Sequence, residues 1–157
     1  VDVAVVVGPL TDSELIVRSL IAGPLTWVTS PRYLADHDIG ESLGEIRRHI
    51  RICENRYGQT RFPVRVRGEA THLDLAQGIA HVNNPLVVRR AVETGAGLSL
   101  LPRHYCRDQI AEGTLVEVCP FITFDIAASS LNVVFPSRRL VSPRVRVFVD
   151  FLTEDCR

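Results

Sequence analysis

The chain has 157 residues, 46% hydrophobic and 23% charged, and its 18 basic and 18 acidic residues leave a formal net charge of zero. Those proportions belong to an ordered globular chain with room for one core or two small lobes, not to a disordered one. The charge balance argues against a self-sufficient nucleic-acid binder, which needs a basic excess for phosphate contacts, and no apolar stretch is long enough to span a bilayer.

Val1 to Val7 is almost continuously apolar and β-branched, so it reads as a strand buried on both faces. Gly8-Pro9 ends it. Leu15 to Ile21 is a second strand, broken by Gly23-Pro24, and Thr26-Trp27-Val28-Thr29 is a third. Ser30-Pro31 has the form of an N-cap followed by proline at the first helical position, with a short helix through Ala35. Ser42-Leu43-Gly44-Glu45 has capping-box spacing and leads into Ile46 to His49. Strands are expected at about Ile50 to Cys53 and Val64 to Arg67, with a polar loop from Glu54 to Thr60. Ala70 to Ile79 shows no clear period, and its structure is left open.

Asn84-Pro85 repeats the cap-plus-proline start. Leu86, Val87, Arg90, Ala91 and Val92 then describe an amphipathic helix that Gly95 terminates. Gly97 to Leu101 is a buried strand stopped by Pro102. Arg103 to Glu112 reads as one helix closed by Gly113, followed by strands at Leu115 to Val118 and Leu131 to Phe135. Ser142-Pro143 opens a last helix with Val145, Phe148, Val149 and Leu152 on one apolar face. Strands and helices alternate, which predicts an α/β fold with mixed, mainly parallel sheets.

The chain contains no Met, so Val1 is read as lying inside a longer product, and all 18 of its Lys/Arg positions are Arg. Val3 to Val7 is too short for a signal-peptide core and has no basic region before it. Cys53, Cys106, Cys119 and Cys156 show no CxxC or CxH spacing, so reduced thiols are expected, with no metal site and no disulfide framework. These features favour the cytoplasm.

Several segments resemble one family in its own order along the chain. Val1 to Gly8 resembles the strand "fDvai-iG" of LysR-type effector domains, and Thr29 to Leu34 resembles that family's "SPxYL". Asn83, Ala91, Gly95-Ala96-Gly97-Leu98 and Leu101-Pro102 resemble its "vNd…aGlGia.LP" pattern. Phe135 to Arg139 and Ser142 to Arg146 resemble "yPs.r.lsprvraFidfl". The resemblance implies a two-lobed, type 2 periplasmic-binding-protein-like effector domain of a bacterial transcriptional regulator. On that reading residues 1–25 and 120–157 form lobe I and residues 26–119 form lobe II. Lobe I is incomplete, because the family's opening strand-helix-strand-helix has no counterpart before Val1. The resemblance further implies a small organic inducer, carboxylate or aromatic, in the cleft between lobes. It implies homo-oligomerisation of the whole regulator, as dimer or tetramer. DNA contact would come only through a winged helix-turn-helix domain that this chain does not contain.

The candidate ligand-binding residues are Gly8, Pro9, Thr26, Thr29, His81, Asn83 and Asn84. Asn83 and Asn84 stand at a helix start, where unsatisfied N–H groups and the dipole suit a carboxylate, although capping alone also accounts for Asn84. Gly8-Pro9 ends the first strand and by resemblance faces the cleft; a strand-ending turn is the plainer account. Thr26 and Thr29 flank Trp27 and offer hydroxyls, yet threonine is an ordinary strand residue. His81 suits an anion or a pH response, while a lone histidine is more often structural. Ser99 lacks the second glycine of a nucleophile elbow and has no partner His or Asp, so no catalytic residue and no cofactor is expected. The pairs Arg89-Arg90, Arg138-Arg139 and Arg144/Arg146 read as solvated surface. Three rivals stand beside the regulator: a solute-binding protein of a transport system with the same fold, an enzyme on that fold, and a decayed gene product without a working pocket.

Overall fold

The computed structural model describes residues 2–8, 10, 14–124, 130–136 and 141–156. Within these, the chain divides into two compact units, residues 1–24 with 126–157, and residues 25–125.

The first unit holds β1 (Ala4–Val7), β2 (Ile16–Ile21), β11 (Leu131–Phe135) and α5 (Pro143–Asp155). Its sheet runs β1-β11-β2, and both ladders are antiparallel, with Ala4 opposite Val134 and Ile16 opposite Phe135. A strand from the end of the chain therefore lies between two strands from its start. Ser142 caps α5 by accepting from the Val145 N–H, and Pro143 fills the first helical position, where no N–H is required. The helix buries Val149 against Val133 and Phe135, with Val145, Leu152, Ile16 and Leu20 packed around them. Phe148, expected on that face, is instead half exposed. Val5 is 50% exposed, so β1 is not buried on both faces; among the described residues β11 is its sole strand partner.

The second unit contains β3 (Leu25–Thr29), α1 (Pro31–Asp36), α2 (Leu43–Arg48), β4 (Ile52–Glu54), β5 (Phe62–Val66), β6 (Glu69–Leu73), β7 (Ala80–Val82), α3 (Pro85–Glu93), β8 (Ser99–Pro102), α4 (Arg107–Glu112), β9 (Val116–Val118) and β10 (Ile122–Thr123). β3 lies between β8 and β9 and is antiparallel to both, whereas β4 and β7 are parallel and an isolated parallel bridge joins Ile50 to Leu98. The described ladders are thus mixed but weighted toward antiparallel pairing. Alternation along the chain records the order of strands and helices, not the direction in which a distant strand returns.

The caps behave as their sequences require. Ser30 accepts from the Tyr33 N–H, and both halves of the Ser42/Glu45 capping box are present. The segment left open by its lack of period, Ala70 to Ile79, becomes the body of β6 and the loop that leads to β7. β6 is a polar strand of which only Leu73 is buried, and it forms because β5 pairs with it across the two-residue turn Arg67-Gly68. Both turn residues have positive φ, 49° and 89°, the mirror-image turn that matches strand twist. Arg47 closes the next loop by donating to the Asp74 and Gln77 carbonyls.

The expected helix from Arg103 to Glu112 is split into a single 3-10 turn at Arg103–Tyr105 and α4, with Cys106 fully buried at the break. The α3 face also differs in phase. Val88 and Val92, four residues apart, enter the core with Val28, Leu101, Cys106 and Leu115, while Leu86 and Val87 stay half exposed.

Two glycines of the second unit have opposite roles. Gly97 has φ 102° and a side chain there would overlap the His49 carbonyl oxygen, whereas Gly44 lies inside α2 with open space around it. Gly97→Ala is expected to lower unfolding free energy by more than about 2 kcal/mol. Gly44→Ala should instead raise it by about 0.5–1 kcal/mol. Urea denaturation of both variants checks the contrast.

Candidate ligand-binding site

The strand directions of the second unit bring several chain ends to one edge. β4 and β7 run parallel, with Glu54 opposite Val82, and the Ile50–Leu98 bridge gives β8 the same sense. β3 runs the other way, with Leu25 opposite Pro102. Thr26, the residues after Glu54, Asn83-Asn84 and Arg103 therefore share the carboxyl-terminal edge of the parallel strands. In open α/β sheets that edge is where ligands bind.

Asn84 accepts from the Leu86 N–H at 2.9 Å and caps α3, whose Pro85 contributes no donor. The neighbouring Asn83 side chain is exposed, with no hydrogen bond among the described residues. Thr26 donates from Oγ1 to Glu117 Oε1 at 3.0 Å, and Arg103 grips the same carboxylate through Nε at 2.9 Å and Nη2 at 3.3 Å. The Arg103 hydrogen bond, above all, holds the Glu117 carboxyl below its ordinary range, with the Thr26 hydroxyl adding to it. This edge thus presents a guanidinium already matched by an acid, beside an amide without a partner.

The other candidates fall elsewhere. Thr29 lies at the opposite end of β3, is fully buried, and donates its hydroxyl to the Gly97 carbonyl at 2.8 Å. The imidazole of His81 packs over Gly58, and its Nε2 is 2.7 Å from the Leu75 carbonyl. A carbonyl only accepts, so Nε2 carries the proton there. Gly8 lies in the first unit with φ 96°; its N–H donates to Ser130 O and its carbonyl accepts from Asn132 Nδ2. Pro9, Arg138 and Arg139 lie outside the described residues.

Two residues at this edge, Glu54 and Tyr57, escaped the sequence reading, and a third, Arg89, was read as solvated surface. Glu54 ends β4 at 2% exposure and accepts from Arg56 Nε at 2.7 Å. A buried carboxylate is tolerable because the guanidinium meets it. Tyr57 is buried next to this pair, and its hydroxyl has no partner among the described residues. Burial, and then the Glu54 charge, push its phenol well above the ordinary range. Arg89 on α3 donates to the Tyr105 carbonyl at 2.8 Å rather than lying in solvent. The only available signal was Glu-x-Arg followed by an aromatic, in a stretch polar enough to read as loop.

Among the described residues no group of three or more His, Cys, Asp or Glu side chains is placed to hold a metal ion, and no helix is long and apolar enough to cross a membrane. All four cysteines are free, and burial pushes the thiols of Cys53 and Cys119 up to about 11 and that of Cys106 up to about 12.

The architecture is that of the type 2 periplasmic-binding-like domains. The chain belongs to the LysR substrate binding domain family, whose model matches residues 1–157. It is 28% identical over 155 residues to the HTH-type transcriptional regulator CrgA of Neisseria meningitidis, covering 99% of this chain and 51% of that protein. It is 31% identical over 168 residues to the regulator PtxR of Pseudomonas aeruginosa, covering 98% and 49% respectively. The chain thus spans about half the length of these relatives. The solved structure of the CrgA regulatory domain superimposes with a TM-score of 0.78 at 26% identity, covering all of this chain and 76% of that one.

The Glu117 contacts set a pH dependence. A carboxylate whose folded pKa is depressed adds stability that is fully present above its unfolded value and is lost as pH falls through the folded value. Glu117 is partly exposed, so the contribution is at most about 1 kcal/mol after solvent screening. Glu117→Gln is expected to remove that increment at neutral pH and to flatten the fall in stability below about pH 4.3, measured by urea unfolding across pH.

Proposed function

We propose that this chain is the inducer-sensing part of a bacterial LysR-type transcriptional regulator. It takes a small organic molecule, and ligand occupancy controls how the whole regulator acts on DNA. The observation that carries this reading is the family match over residues 1–157, in which the named relatives are transcriptional regulators. DNA contact belongs to a winged helix-turn-helix portion outside these residues, in keeping with relatives about twice as long. The working protein is a cytoplasmic homo-oligomer, and the free thiols suit a reducing compartment.

Ligand contact in the second unit falls on Asn83 and the start of α3, with Thr26 beside them. Asn83 supplies an uncommitted amide, and the positive end of the α3 dipole favours a carboxylate beside it; the Leu86, Val87 and Val88 N–H groups are already bonded to Asn84. Thr29 has no exposed surface to offer, and its role in this reading is structural. No bond need be made or broken. A ligand that binds one arrangement of the protein better than another shifts the population between them.

The test is a melting-temperature screen of this chain against small carboxylates and aromatics. A ligand present at 100 times its Kd stabilises by about 2.7 kcal/mol. Asn83→Ala is expected to change unliganded stability by less than about 0.5 kcal/mol, since nothing bonds to that side chain. It should weaken the ligand about tenfold. A ligand that stabilises the native chain and the Asn83→Ala variant equally removes Asn83 from the site.

A further inference from the structure

We propose a second ligand site, wholly inside the second unit, that takes a small apolar ammonium ion. It shares no residue with the site at Asn83 and does not rest on it. A cavity of about 630 Å³ lies between the end of α1, with the segment that follows it, and the turn from β9 to β10. That volume falls within the ~300–1,000 Å³ typical of small-molecule sites. Ile39 and Cys119, each 7% exposed, form its floor, and Val118 and Phe121 stand partly buried beside them. The Cys119 thiol has no hydrogen-bond partner among the described residues, so its sulfur is a free, weak acceptor inside the cavity. Burial pushes that thiol up to about 11, so at neutral pH it stays protonated and brings no charge.

The charges around this floor define what it accepts. Asp36 and Asp38 also line the cavity. Asp36 ends α1 with no hydrogen bond or ion pair among the described residues, although Arg32 stands four residues before it, the spacing at which a helix pairs opposite charges. Asp38 accepts from the Gly40 N–H at 3.0 Å, a neutral donor that leaves its charge unmatched. His37, also in the lining, holds its Nδ1 3.1 Å from the Tyr33 carbonyl. Whatever charge His37 carries, the two carboxylates outnumber it. Phe121 adds an aromatic ring, whose face attracts cations. Arg67 already stands 4.7 Å from that ring's centroid, and Glu41 at 3.8 Å matches the guanidinium. The cavity thus keeps an excess negative charge above an apolar floor. A carboxylate would meet repulsion there, and a zwitterion would bring one with it. The complement is one ammonium on an apolar or aromatic body, with its charge at the exposed aspartates and its body on Ile39 and Val118.

Phenethylammonium is the probe, and phenethyl alcohol, nearly the same shape without the charge, is its control. Titration of the 15N-labelled chain should give saturable shifts at the amides of Ile39, Gly40, Cys119 and Phe121, with the ammonium binding at least about fivefold tighter than the alcohol. That preference should shrink in about 0.5 M salt, because the aspartates are exposed to screening. Asp36→Asn removes an exposed charge without a bonded partner among the described residues, and Asp38→Asn keeps an oxygen for the Gly40 N–H. The double variant should therefore melt with the native chain and lose the preference for the ammonium. Asn83→Ala should leave these shifts intact, which separates failure here from failure of the first site. Four results would overturn the proposal: no saturable shift at these amides up to about 10 mM phenethylammonium, a preference indifferent to salt, a preference that survives the double variant, or shifts confined to the residues around Asn83.

Discussion

The second unit depends on one close approach, at Gly97. The Leu98 N–H donates to the His49 carbonyl at 2.9 Å, and the Gly97 carbonyl accepts the Thr29 hydroxyl at 2.8 Å. Three segments far apart in sequence meet there: the end of α2, the end of β3 and the start of β8. Gly97 holds φ 102°, and any side chain would strike the His49 carbonyl, so the joint exists only because this position lacks a Cβ. Tyr33 braces it from α1, with its hydroxyl 2.7 Å from His49 Nδ1.

The joint sets the sense of the sheet. Because Ile50 and Leu98 are held side by side, β8 runs with β4 and β7, and β3 runs against them. The three carboxyl ends, the start of α3 and Thr26 are thereby delivered to one edge. The two threonines of β3 then have different work. Thr29, at the joint, spends its hydroxyl on backbone inside the core, while Thr26, at the far end, spends it on the Glu117–Arg103 pair. One strand both anchors the unit and reaches its candidate site.

Arginine supplies every side-chain cation but histidine in this chain, and the structure sorts its arginines by what they meet. Arg56 and Arg103 each face a carboxylate at the candidate edge, Arg89 and Arg47 tie down backbone carbonyls, and Arg18 joins β2 to α5 through Asp150. Planar five-donor groups suit such fixed contacts. The chain belongs to the LysR substrate binding domain family and spans about half the length of the regulators it matches.

The caps and the family resemblance were legible in the sequence. Ser30-Pro31, the Ser42/Glu45 box, Asn84-Pro85 and Ser142-Pro143 are local chemistry, decided within four residues, and each appears where its pattern placed it. The order of strands and helices, and the run of motifs resembling LysR-type effector domains, were legible for the same reason. What depends on distant partners emerged with the fold. It placed β11 between β1 and β2 and made the ladders mostly antiparallel. It drew the polar segment at Glu69–Leu73 into a hairpin and turned α3 so that Val88, not Val87, enters the core. It also buried Glu54 and Tyr57 in what read as a loop, and gave Asp150 a partner 132 residues away. Periodicity reports which residues can be buried together. It does not report which strand, helix or charge arrives from elsewhere to bury them, and at the candidate site that arrival makes the chemistry.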